Sequence, residues 1–141
     1  MNIDIGQLLS GFVGVVFGIA ATIFLYWFNR YTTARHALID RLLFLRHDVH
    51  WTCAPADVFK TWNASLKEIW LLYNAFIPIA LPILRRGRVR QAWRDYKGED
   101  HDTMKKLANE GIIVDNKAAP KNKVEFLHKI DSFLKALGKY G

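Results

Sequence analysis

Residues 5–28 form a run of 24 positions without one charged side chain, and no other feature limits the fold of this chain so tightly. As a helix the run reaches about 36 Å, enough to cross a hydrocarbon core of roughly 30 Å with some tilt. Helices in soluble cores seldom stay apolar on every side for that length. All 20 Lys and Arg lie at or beyond Arg30. The two parts of the chain therefore read as built for different solvents, an anchor over residues 1–30 and a basic domain over residues 31–141.

The flanks orient the anchor. Tyr26 and Trp27 stand at its C-terminal end, where amphipathic rings prefer the headgroup level, and Arg30 and Arg35 follow, whereas Asn2 and Asp4 at the other end bring no basic group. By the positive-inside rule the N-terminus is expected outside and the domain in the cytoplasm. The bacterial inner membrane is the expected location, with the mitochondrial inner membrane and its matrix side as the other setting. A cleaved signal peptide would want a basic start and a shorter apolar core, and only Ala20-Ala21 hints at a cleavage site. Within the span Ser10, Gly14, Gly18 and Thr22 recur every four residues and share one face. Small residues in that register let helix backbones approach closely, so they are the expected helix-packing seam, although glycine is also simply frequent in membrane helices.

Helical periodicity continues past the anchor. Leu38, Leu42, Leu45 and Val49 make one stripe, so the anchor is expected to extend as a single helix to about Cys53-Ala54-Pro55, where the proline disfavours helix in the residue before it. Asp57 is expected to cap a second helix with Trp62, Leu66, Ile69 and Tyr73 on one face. Residues 69–84 then carry no charge but contain Asn74, Pro78 and Pro82. A second crossing would need more length and would put the following arginines on the wrong side. The segment instead predicts either a buried turn between core helices or an apolar hairpin tip resting in the membrane interface. A third helix is expected over residues 82–97, with Val89, Trp93 and Tyr96 inward. A short helix from Asp102 to Asn109 or Glu110, closed by Gly111, should follow, then a β-branched triplet at 112–114 too short for a sheet, and a loop at 116–121. Asn122 and Glu125 form a capping-box-like start to a last helix whose apolar face is Leu127, Ile130, Phe133 or Leu134, and Leu137. The expected fold is all-α: one transmembrane helix extended into a small cytoplasmic helical bundle.

Arg85, Arg86, Arg88, Arg90, Arg94 and Lys97 face one acid, Asp95, for a local charge of +5. Such a patch suits an anionic leaflet or an acidic partner. Nucleic acid is the less favoured partner, since only Trp93 and Tyr96 are at hand for stacking. The same arginines could also be an ordinary solvated face. His47, His50 and Cys53 are spaced by three, but His47 and Cys53 point about 120° apart on a helix, so ordinary half-buried side chains account for them better than a metal. Glu99, Asp100 and Asp102 around His101 suit a helix N-terminus. Cys53 is the single cysteine, which excludes an intrachain disulfide. No nucleophile elbow, phosphate loop or zinc helix is present, so neither catalysis nor a cofactor is expected.

Two functions remain open. One is a non-enzymatic accessory or assembly subunit of a membrane complex, or a self-associating scaffold, with other transmembrane helices, its own copies and anionic lipid as partners. The alternative is a small membrane-acting effector, a toxin or phage-type exclusion factor, that uses residues 69–84 on the bilayer.

Overall fold

The computed structural model describes residues 4–81, 85–98 and 119–139. Four α-helices occur among them, α1 (Ile5–Trp51), α2 (Val58–Phe76), α3 (Gly87–Lys97) and α4 (Lys123–Ala136), with a short 3₁₀ turn at Pro55–Asp57 and no strand. The expected short helix after Asp102, the triplet at 112–114 and Pro82 lie outside the described residues.

Helix α1 runs 47 residues, about 70 Å at 1.5 Å per residue. Neither Gly nor Pro occurs between Gly18 and Pro55, so nothing in the sequence breaks it where the apolar run ends. The Asp4 carboxylate starts it by accepting from the Gly6 N–H at 3.0 Å. It ends at Trp51, with the Thr52 N–H and hydroxyl both bonded to Asp48, and Ala54 before Pro55 is extended at ψ 151°. Through residue 30 every described side chain but half-buried Trp27 is exposed; from Tyr31 on, one face is buried. The first part is long and apolar enough to cross a membrane.

Helices α2 and α4 pack on the second half of α1, and α3 packs mainly on α4, in up-down-up-down order. Tyr31 meets Phe76 at 5.5 Å between ring centres while Cys53 lies beside Thr61, so α2 runs back antiparallel to α1. Trp93 stacks on Tyr73 at 5.2 Å and Tyr96 reaches Ser65, which sets α3 antiparallel to α2. Helix α4 returns along both α3 and α1, bringing Phe126 to Tyr96, Asp131 to Arg46 and Leu137 to Arg35. The predicted stripe Leu38/Leu42/Leu45/Val49 is buried, as are Val89, Trp93 and Tyr96, while in the stripe of α2 Trp62, Leu66 and Ile69 are buried and Tyr73 is half-buried. Each such side chain contributes roughly 1.5–3 kcal/mol of transfer free energy. On α4 the fully buried positions include Phe126 and both Phe133 and Leu134, whereas Leu127 is only half-buried.

Aromatic residues dominate this core, so their polar atoms need partners inside it. The Trp62 indole N–H donates to the Tyr96 carbonyl at 3.1 Å, in the last turn of α3 where carbonyls lack helical partners. The Tyr96 hydroxyl meets Ser65 Oγ at 2.6 Å, and Ser65 in turn bonds the Trp62 carbonyl at 2.7 Å. Three residues thus satisfy one another where water is absent.

Two helix starts differ from expectation. Asp57 makes no capping bond: the proline-led 3₁₀ turn carries the chain into α2, and Asp57 already sits at φ −98°, ψ −2° with its side chain turned to solvent. Helix α3 is regular only from Gly87, because Arg85 takes a left-handed φ of 69° just before it. Asn122 does cap α4, accepting from the Glu125 N–H at 2.9 Å, and Glu125 reaches back to the Lys121 N–H at 2.8 Å. Asn122→Ala is therefore expected to cost about 1 kcal/mol and Asp57→Ala no more than a few tenths. Denaturant unfolding of the detergent-solubilised chain, followed by tryptophan fluorescence, measures the difference.

Candidate interaction surfaces

The first surface is the exposed half of α1. A Cβ added at Gly11, Gly14 or Gly18 would meet nothing within 4 Å. The hydroxyls of the same stripe are satisfied within the helix, Ser10 donating to the Gln7 carbonyl at 3.0 Å and Thr22 to that of Gly18 at 2.8 Å. Ser10, Gly14, Gly18 and Thr22 consequently form a low, non-donating stripe between ridges of exposed Phe, Val, Leu and Ile. An apolar surface of this extent far exceeds what a soluble monomer leaves in water.

The second surface is the junction below it. The Trp27 indole N–H donates to the carbonyl of Ile79 at 2.8 Å, fifty-two positions away, and its ring stacks on Tyr31 at 5.6 Å. This bond ties the turn after α2 to the C-terminal end of the uncharged run. Within residues 69–84, Ile69, Phe76 and Ala80 are core residues, Ile77 and Ile79 are half-buried, and Leu81 is 48 % exposed. The two expectations for the segment therefore join: its inner side is a buried turn, and its outer side is an apolar tip level with the base of the apolar helix. Proline at 78 fits because the chain has left regular helix at Ile77, and the Ile79 and Ala80 N–H groups both return to the Phe76 carbonyl at 3.1 Å.

The basic residues of α3 form the third surface. Arg88, Arg90 and Arg94 are exposed, and Arg85, Arg86 and Lys97 are half-buried. Ion pairs between described residues join Arg41 to Glu68 and Arg46 to Asp131 at 2.7 Å, and neither involves the arginines of residues 85–94. The Arg85 guanidinium covers Gly138, whose φ of 82° already requires glycine. Arg86 Nε is buried with no hydrogen-bond partner among the described residues. Arg90 comes within reach of the Tyr73 hydroxyl, with Arg94 and Arg86 around it. Burial pushes the Tyr73 phenol up, against the opposing pull of these cations.

His47 and His50 are exposed and flank Trp51, the latter edge-on at 4.8 Å, whereas the Cys53 thiol faces Thr61; no set of three ligating side chains converges among the described residues. Glu99, Asp100, His101 and Asp102 lie outside those residues. A cleft of about 450 Å³ between α1 and α2 mixes Arg41, Asp48, Lys60 and Glu68 around Cys53, with charges of both signs, and on its wall the Thr52 hydroxyl bonds the Asp48 carbonyl at 2.6 Å and carboxylate at 2.7 Å. Two positions carry roles that the spacing of the sequence does not reveal. Trp27 reads from sequence only as an interfacial ring, and Arg35 only as a flanking charge, yet Arg35 Nε donates to the Leu137 carbonyl at 2.8 Å and satisfies the end of α4. Neither partner is near in sequence, so only tertiary packing reveals them.

No family model matches the chain, and neither a curated protein nor a solved structure matches it.

Full burial raises the Tyr96 phenol well above its ordinary range, the Ser65 bond offsetting only part of that, and Tyr73 moves the same way. A folded pKa above the unfolded value near 10 means that the folded chain keeps protons the unfolded chain releases. Stability is then intact below about pH 10 and falls as pH rises beyond it. Tyr96→Phe should lower stability by about 1 kcal/mol at neutral pH through the lost hydrogen bond while flattening the alkaline fall. Denaturation midpoints at neutral and alkaline pH test both signs.

Proposed function

We propose that this chain is a non-enzymatic single-pass membrane protein, an accessory or assembly subunit of a larger membrane complex or a self-associating scaffold. The carrying observation is that an apolar helix, exposed on all sides, continues unbroken into a folded basic bundle. Exposed apolar surface on that scale is stable in lipid and not in water. Arg30 and Arg35 at the bundle side, against Asp4 at the other, favour an orientation with the bundle in the cytoplasm.

Helices in lipid gain nothing from the hydrophobic effect when they meet, so association depends on close packing. The Ser10/Gly14/Gly18/Thr22 stripe supplies that, because its hydroxyls need no outside partner and its glycines admit a neighbouring backbone. The bundle would then present its charged faces to the rest of the complex. For the effector reading, Ile69, Phe76 and Ala80 would have to leave the core before residues 69–84 could penetrate deeply.

Light scattering of the detergent-solubilised chain, alone and after gentle recovery from its native membrane, tests the reading beside a Gly14→Ile, Gly18→Ile variant. A discrete homo-oligomer that the variant reduces to monomer is expected of a scaffold. A monomer that brings stoichiometric partners from the membrane is expected of a subunit. A wild-type chain that is monomeric and recovered alone would refute both.

A further inference from the structure

We propose that the end of the bundle beside the apolar helix is a binding surface for acidic phospholipid headgroups, on which the domain sits against its own membrane. The inference rests on reading α1 as membrane-crossing, and it selects lipid rather than an acidic protein as what the arginines meet.

The level of the surface is fixed by geometry. Tyr26 and Trp27 mark the end of the uncharged run, and the Trp27–Ile79 bond holds the tip of the α2–α3 connection at that same level. Ile77, Ile79 and Leu81 therefore stand where the acyl chains give way to headgroups, with Leu81 open to whatever lies there. Around them the fold gathers cations from three distant parts of the chain: Arg30, exposed and lying over the Tyr26 ring at 5.9 Å; Arg85, Arg86 and Arg88 at the start of α3; and exposed Lys139 beside Gly138, which the Arg85 guanidinium covers. The described carboxylates stand elsewhere. Asp40, Glu68 and Asp131 lie further along the bundle; Asp48, Asp57, Glu125 and, in the second half of α3, Asp95 lie further still; and Asp4 is at the other end of α1. An apolar tip ringed by cations with no described carboxylate among them, flush with the end of a membrane helix, is complementary to an anionic leaflet.

The same geometry divides the basic patch. Arg94 and Lys97 are nine and twelve residues beyond Arg85 along a chain leading away from the anchor, about 13 and 18 Å, more than the screening length of roughly 8 Å at physiological salt. Only the charges nearest the tip act on the leaflet.

The test uses the full chain, with Cys53→Ser, reconstituted into vesicles of phosphatidylcholine alone or mixed with phosphatidylglycerol. A fluorophore is attached at Leu81→Cys, Val124→Cys or Phe17→Cys, all exposed positions. Quenching by headgroup-nitroxide lipid should be at least about twofold stronger for the Leu81 label in the acidic vesicles than in the neutral ones. Arg88→Glu with Lys139→Glu should return it to the neutral value, while the Val124 label stays open to aqueous iodide throughout. Equal quenching in both vesicle types, or no response to charge reversal, overturns the proposal. A Leu81 label as open to iodide as the Val124 label, with the Phe17 label sheltered in lipid, overturns it and leaves the membrane-crossing reading intact. A Phe17 label open to iodide refutes the crossing itself.

Discussion

Between Phe28 and Tyr31 helix α1 goes from a surface exposed on every side to a face covered by α2 and α4, with no change of backbone conformation. Each later element is positioned by that continuity. Helix α2 is aligned on it through Tyr31 and Phe76 and through Arg41 and Glu68; α4 is held to it by Arg35 and Arg46; and α3 fills the remaining side against Tyr73 and Phe133. A break at the junction would have let the bundle turn freely beneath the apolar segment. Trp27 adds the opposite constraint, gripping a backbone carbonyl of the α2–α3 turn from above. The bundle thus has two attachments to the apolar helix, one covalent and one through a single indole.

Inside the bundle, the choice of Tyr and Trp over aliphatic residues has a structural cost and a use. Each buried ring carries a polar atom that would cost about 1–3 kcal/mol if left unmet. Trp62, Ser65 and Tyr96 meet these demands by pairing α2 with the C-terminal turn of α3 in one register. Sliding α3 by a turn would strand all three groups, so the network fixes how the short third helix is seated, a role that leucines of equal volume could not fill.

Much of this was legible in the sequence. Leu38, Leu42, Leu45 and Val49 repeat with the helical period because one face of α1 is covered, and the Gly-free, Pro-free junction already implied one rod. What pattern reading missed depends on tertiary contacts. Asp57 has the chemistry of a cap, but Pro55 pre-sets a 3₁₀ turn that delivers the chain to α2 already helical, so the carboxylate has no orphan N–H to receive. The uncharged run at residues 69–84 gave two readings because composition reports only that water is avoided; which neighbour excludes it depends on Trp27, far off in sequence. The stripes Ser10/Gly14/Gly18/Thr22 and Arg85 to Lys97 can be picked out in the sequence, but not their level along α1, since helical periodicity carries no information about how one helix is raised or lowered against another.

The length of α1 sets a distance as well as a direction. From the middle of the glycine stripe to Leu42, near the middle of the covered segment, the helix rises about 39 Å. A second copy crossing at the stripe, at the angle of about 40° common for such contacts, would diverge below the crossing until the two bundles stood roughly 30 Å apart. The rods would act as a pair of splayed struts, letting the apolar halves touch while two domains stand side by side.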